Sequence, residues 1–357
     1  MNTSSQGLQS MLEIFAVTPE NLGLEAIGAF AQRVEAMGYD GLFVPDAVHD
    51  GLLLACQALA ATSRIKVGIS VLVAPPRSPM NVALAAWDLQ RMSGGRFELG
   101  LGTQIRQNIE DRYSSRWLPP AAGMREYVGA LRAIFHSFRT REPLNFVGEH
   151  YRFTRLQPFF NPGPIDAPDV PVMLGAVGPK MLALVGEVAD GMHTHPTNTS
   201  TRYLREAILP RVAAGAAGRS AGLKRPLICA NELVATGSDD ATVAAERERF
   251  RGMLAFLFST PAYWPSLELF GWKNVGEQLL QMTREGRWKE MPAALPDTLL
   301  DEFLVSARYD QLPEILLARF GGLVDRITLT VPENPAHDQA TAAAIAATRA
   351  LAVQRGE

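Results

Sequence analysis

Cysteine is nearly absent from this chain. Cys56 and Cys229 are the only two in 357 residues, and no Cys-x-x-Cys pair occurs. That excludes a disulfide framework and a cysteine-built metal site, and it fits a reducing, cytoplasmic setting. Long apolar runs are lacking too. None reaches about 18 residues, so no bilayer-spanning helix is expected. The first ten residues are polar, without the basic start and apolar core of a secretory leader, so no signal peptide is expected. Neither sign of charge dominates: 34 Lys and Arg face 37 Asp and Glu, a net charge of −3. Neither nucleic acid nor an anionic membrane is therefore expected as a partner. Several signatures are missing as well: GxxxxGK[ST], GxSxG and HExxH. Gly100-Leu101-Gly102 lacks the third glycine of a dinucleotide fingerprint, because Ile105 stands there.

What remains is a chain that is 47% hydrophobic, ample for a large single core. Short apolar runs alternate with helix-period segments. Strands are predicted at Leu12–Val17, Gly41–Pro45, Lys66–Val73, Arg96–Leu101, Pro171–Gly175, Gly191–His195, Leu227–Ala235 and Asp325–Val331. Amphipathic helices lie between them, as in Leu24–Met37 with Ile27, Phe30, Ala31 and Val34 on one face. A doubly wound sheet would also alternate in this way. Eight βα units without a domain break favour a (β/α)8 TIM barrel, one domain over residues 1–357. Two insertions interrupt it. Glu142–Pro168 reads as a Pro-rich loop with a small hairpin turning at Val147–His150, after the fourth strand. Thr260–Leu300, before the eighth strand, reads as a helical addition beside the active end of the barrel. Its Trp264, Trp272 and Trp288 either line a site or pack the added helices.

The strand-to-helix junctions carry the candidate chemistry, since ligands bind at the C-terminal strand ends of such folds. In Ser93-Gly94-Gly95 the glycines stop a helix, Phe97–Leu101 forms a buried strand, and Gly102-Thr103-Gln104 opens a polar loop. In Gly175-Ala176-Val177-Gly178-Pro179, Pro179 suits a first helical turn. The amides of Ala176, Val177 and Gly178 would then form a phosphate seat; the alternative is an ordinary tight turn. Asp46 and His49 follow the second strand, where Asp50 also suits a helix cap. His193 and His195, two apart on a strand, share a face and are read as substrate-facing partners in a pocket. With Asp46 and His49 they also allow a distant alternative, a metal-dependent hydrolase, although no other His/Asp cluster supports a metal.

Read in order, Gly38–Asp46, Val67–Val71, Arg77-Ser78-Pro79, Ser93–Thr103, Ala176–Pro179 and Ala189-Asp190-Gly191 resemble the bacterial luciferase-like monooxygenase superfamily. The closest likeness is to its branch of oxidoreductases that use the deazaflavin coenzyme F-420. This resemblance implies a planar ring at the barrel mouth and a non-proline cis peptide beneath it, at Ser70-Val71. It implies cofactor contacts from Asp46, from the Gly102, Thr103, Gln104 and Arg106 loop, and from the Ala176, Val177, Gly178 and Pro179 turn. A sugar-phosphate dehydrogenase of the superfamily has His where this chain has Ala47, and a catalytic Glu near Ile105. The proton role therefore passes here to His49, with Glu20 as second candidate, and a sugar phosphate is not the expected substrate. The expected cofactor is F-420, with FMN as the alternative in a monooxygenase fed by a separate reductase. The expected partners are a small-molecule substrate and a second copy in a homodimer.

Overall fold

The computed structural model describes residues 12–19, 21–219 and 222–355. Its centre is a closed parallel barrel. The strands in chain order are β1 (Glu13–Val17), β2 (Gly41–Val44), β3 (Lys66–Ile69), β4 (Leu72–Val73), β5 (Phe97–Gly102), β6 (Phe146–Val147), β7 (Arg152–Phe153), β8 (Val172–Gly175), β9 (Gly191–His193), β10 (Leu227–Ala230), β11 (Leu233–Gly237), β12 (Leu304–Arg308) and β13 (Arg326–Thr328). The barrel runs β3-β2-β1-β13-β10-β9-β8-β5-β4, and β3 also pairs with β5 to close it. β3 and β4 are one expected strand broken at a cis Ser70-Val71 bond, so the barrel has the eight staves read from the sequence.

Two strand predictions need correction. Leu227–Ala235 is not one strand. β10 stays in the barrel, Asn231 and Glu232 interrupt the ladder, and β11 pairs instead with β12 in a separate parallel ribbon. Leu304–Arg308, which the eight expected strands do not include, is a strand that follows directly on the helix Asp297–Phe303. This ribbon and the helices Asp240–Phe258, Trp264–Leu269 and Lys273–Arg284 enclose a second core around Phe250, Leu254, Phe258, Leu267, Leu279 and Phe303. Trp264 and Trp272 belong to the packing of this added unit. Trp264 donates to the Phe258 carbonyl at 2.8 Å, and Trp272 stacks on Phe270 with centroids 5.1 Å apart.

Local signals act as expected. Gly94 and Gly95 take φ of 66° and 97° and end the helix Pro79–Ser93. Asp50 caps Gly51–Ala61 by accepting from the Leu52 and Leu53 amides, and Asp239 caps Asp240–Phe258. β6 and β7 form the expected hairpin. Among the described residues, no helix is long and apolar enough to cross a membrane.

Strand alternation sends Glu13, Glu98 and Arg326 into the barrel. Arg326 donates to both oxygens of Glu98 at 2.6 and 3.0 Å and to Glu13 at 2.5 Å, while Lys66 holds the other oxygen of Glu13 at 2.6 Å. The guanidinium lies 4.7 Å from the centre of the Phe15 ring, which stacks on Phe43. These charges stand at the start of β1, β3 and β13 and near the start of β5, so they form the barrel floor. Burial alone would lift the Glu13 carboxyl, but the Arg326 and Lys66 charges outweigh it and hold the group below its ordinary range.

Candidate active site at the barrel mouth

The opposite end is built around close approaches that only glycine permits. A Cβ on Gly100 would stand 2.0 Å from the Ile69 carbonyl oxygen and 3.1 Å from His193 Nε2. One on Gly102 would meet Val71 Cγ2 at 2.4 Å, and one on Gly175 would meet Val71 Cγ1 at 3.2 Å. The glycines of β5 thus let the bent exit of β3 nest against them. Val71, after the cis bond that the resemblance implies, comes to lie against Gly102 and Gly175, and the Ile69 carbonyl against Gly100.

His193 projects inward beside this nest. It is 2% exposed, meets Phe43 edge-on at 4.7 Å, and leaves Nδ1 without a partner. Asn231 donates to the Thr194 carbonyl at 2.9 Å and to Ser70 Oγ at 3.4 Å, while its Oδ1 is buried and unpartnered. Two buried polar atoms thus lack protein partners in one region, which is uncommon in a folded chain. Asn231 was hidden inside a predicted strand; a polar pair within Leu227–Ala235 is the signal that could have exposed it.

His195 lies just past β9 and is held by local contacts. Its Nδ1 is 2.8 Å from Thr197 Oγ1 and also accepts from the Thr197 amide, and its ring stacks on Tyr263 with centroids 4.2 Å apart. Tyr263 begins the helical insertion, so that insertion reaches the mouth. Burial pushes the His193 imidazole down to about 3, helped by the Arg326 charge, and pushes His195 down to about 4. Both rings are neutral in the fold, whereas an unfolded histidine gains a proton near pH 6.5. Stability is therefore full above that pH and falls as the pH drops, by up to about 1.4 kcal/mol per unit for each ring. Urea unfolding at pH 7, 6 and 5 should show this fall, and His195→Gln should remove roughly half of the histidine share.

Asp46 was expected at the cofactor, but its carboxylate is already committed. It accepts from the Gly51 and Val73 amides at 3.0 and 2.9 Å and from Arg77 at 2.8 and 3.1 Å. Its role in the structure is to lock the β2 exit to the β4 exit. Arg112 adds a second tie, donating to the Ala47 carbonyl at 2.8 Å. His49 is half-buried on the same β2 exit and has no partner among the described residues. Glu20 lies outside the described residues. Thr103 borders the mouth, Gln104 takes a left-handed φ of 56°, and Arg106 is exposed and paired with Glu110 at 2.9 Å.

The turn after β8 meets its expectation in part. Pro179 opens the helix Pro179–Val188. The Ala176 amide is used by the His193 carbonyl at 3.4 Å, but those of Val177 and Gly178 have no partner among the described residues. A Cβ on Gly178 would meet nothing within 4 Å, so this helix start is open. Lys180, in the first turn, is exposed and unpaired among the described residues; the sequence reading passed over it. The helix is fixed by backbone contact: a Cβ on Gly186 would stand 2.0 Å from the Val212 carbonyl oxygen.

The metal-hydrolase alternative loses its ligand set. His193, His195, Asp46 and His49 do not converge. Among the described residues the one cluster of metal-ligand type joins Glu126 of the helix Pro120–Thr140 to Glu149 and His150 of the outer hairpin turn. There Glu126 is occupied by the Glu149, His150 and Tyr151 amides.

Residues 10–326 match the luciferase-like monooxygenase family. The chain belongs to that family. An uncharacterised protein of Mycobacterium tuberculosis is 39% identical over 316 residues, which cover 88% of this chain and 92% of that protein. A 5,10-methylenetetrahydromethanopterin reductase of Archaeoglobus fulgidus is 27% identical over 80% of this chain and 83% of its own length. The coenzyme F-420-dependent tetrahydromethanopterin reductase of Methanopyrus kandleri shares the fold, with a TM-score of 0.75 at 19% identity, covering 96% of this chain and 98% of that structure. Family membership supports an enzyme with redox activity.

Proposed function

We propose that this chain is an oxidoreductase that binds a deazaflavin of the coenzyme F-420 type at the barrel mouth and passes a hydride between it and a small organic substrate. One juxtaposition carries the reading. An open helix start with free Val177 and Gly178 amides, suited to a phosphate, shares the C-terminal end of the barrel with the glycine nest and the orphaned His193 Nδ1 and Asn231 Oδ1. The archaeal reductases among its similar proteins support a deazaflavin over a flavin.

When bound, such a ring supplies two-electron hydride chemistry at carbon and reacts poorly with oxygen. The chain's own residues supply the rest. Val177 and Gly178 would hold the phosphate, with Lys180 and Arg106 balancing its charge. Neutral His193 and Asn231, beside Ser70 and Val71, would meet the polar edge of the ring, next to Gly102, Thr103 and Gln104. The His195–Tyr263 stack would cover the mouth and exclude water. His49 would hold the proton exchanged with the substrate.

The second reading is an FMN-dependent monooxygenase supplied with reduced flavin by a separate reductase, and the family's own description favours it. Titration of both cofactors against tryptophan fluorescence separates the two. F-420 should saturate at micromolar concentration and FMN at least about tenfold less tightly; the reverse order makes the chain a monooxygenase. Lys180→Glu should weaken F-420 about tenfold, roughly 1.4 kcal/mol, and leave a phosphate-free deazaflavin unaffected. His49→Ala should leave F-420 affinity unchanged while slowing reoxidation of the reduced coenzyme by substrate about a hundredfold.

A further inference from the structure

β9 runs between β8 and β10, so His195 stands between the open turn after β8 and Asn231. Its φ of −98° and ψ of 149° continue the extended path of β9. The side chain therefore projects to the same side as His193, toward the barrel axis. Asn198, itself buried, accepts from the His195 amide at 2.7 Å and donates to the Ala176 carbonyl at 3.4 Å, which ties His195 to that turn. The Thr197 amide donates to Nδ1 of the ring at 3.4 Å. An amide N–H can only donate, so Nδ1 carries the lone pair and Nε2 carries the hydrogen. Tyr263 lies 10° from parallel to the ring and holds its plane. Among the described residues Nε2 has no partner, and unlike Nδ1 of His193 it is open to solvent.

We propose that His195 is a catalytic electrophile whose Nε2–H donates to a carbonyl oxygen of the substrate, which makes a ketone or aldehyde the substrate class. The bound atom has to be an acceptor, because Nδ1 is spent and Nε2–H can only give. No charged side chain faces the ring, so a carboxylate would lose its hydration there without a counter-charge. A neutral imidazole polarises a carbonyl by hydrogen bonding and keeps its own proton. In the reaction a hydride adds to the carbonyl carbon and the C=O electron pair moves to the oxygen. A proton from His49 then completes the alcohol, and the deazaflavin is left oxidised by two electrons. The His195 hydrogen bond strengthens as charge grows on that oxygen. Tyr263 is a positioning residue, since it acts through the imidazole plane. The inference rests on the reading of the mouth as a deazaflavin site.

The test follows the imidazole nitrogens of the full-length, nitrogen-15-labelled protein by NMR, with His195→Phe identifying the His195 signals. The parent chain should show a protonated Nε2 and a bare Nδ1. Cyclohexanone should move the Nε2 signal and saturate, and cyclohexanecarboxylate should not. Tyr263→Ala should broaden that signal, whereas Tyr263→Phe, which keeps the stack, should leave it sharp. With reduced F-420 and cyclohexanone, His195→Phe should lower kcat about a hundredfold with little change in KM, and His195→Gln, which keeps an N–H donor, should recover about tenfold of the loss. A protonated Nδ1, an Nε2 signal indifferent to the ketone, equal shifts with the carboxylate, or an unchanged kcat in His195→Phe overturns the proposal. F-420 is titrated into the same parent sample. A ketone shift without F-420 binding refutes the redox reading of the mouth, and F-420 binding without a ketone shift refutes the role of His195.

Discussion

Arg326→Met should lower the stability of the folded chain by about 3–5 kcal/mol, seen as an early urea midpoint with an unchanged slope. The reason lies in the barrel floor. Arg326 is the cation that meets both oxygens of Glu98, and the two side chains are only 3% and 8% exposed. Removing it strands a buried carboxylate. Glu13 keeps Lys66 and is hurt less. Adding Glu98→Leu to Arg326→Met should recover most of the loss, because an apolar pair of similar volume needs no desolvation of charge. A double variant no better than Arg326→Met would show that the guanidinium acts through its packing on Phe15 instead.

The second large effect is expected at Gly100. Gly100→Ala places a methyl 2.0 Å from the Ile69 carbonyl oxygen, and that backbone has to move. Overpacking of this kind costs about 1–3 kcal/mol, and a clash with backbone belongs at or above the upper end. Thermal unfolding should show a melting temperature lower by roughly 4 °C or more, since a chain this long has a large unfolding entropy. The control is Gly178→Ala, where φ is −79° and nothing lies within 4 Å of the added carbon. That variant should melt at or slightly above the parent temperature, since alanine restricts the unfolded chain. Equal melting temperatures for the two variants would contradict the close approach of β3 and β5.

These two glycines also mark how far the sequence could be read. The Gly-Leu-Gly run was legible as a strand end near a ligand, because strand length and apolar pattern are local properties. The reason for Gly100 was not, since it depends on a carbonyl from a strand some thirty residues earlier in the chain. The same limit hid the floor: Arg326 and Glu98 are 228 positions apart, and nothing in either neighbourhood announces the other. Asp46 stands at the expected strand end, but its pairing with Arg77, 31 positions away, could not be read from its neighbourhood. Leu227–Ala235 misled because apolar periodicity continues across Asn231 and Glu232, where the chain leaves one sheet and joins another. Caps, helix stops and the hairpin were readable because each is settled within a few residues.

The ion cluster beneath Phe15 and Phe43 has one more effect. It corks the cylinder at that end, so whatever visits the cylinder has a single doorway for arrival and departure. Two guests must then queue. The guest that settles deeper has to enter first and leave last, and a compulsory-order kinetic pattern, rather than a random one, is the expected signature.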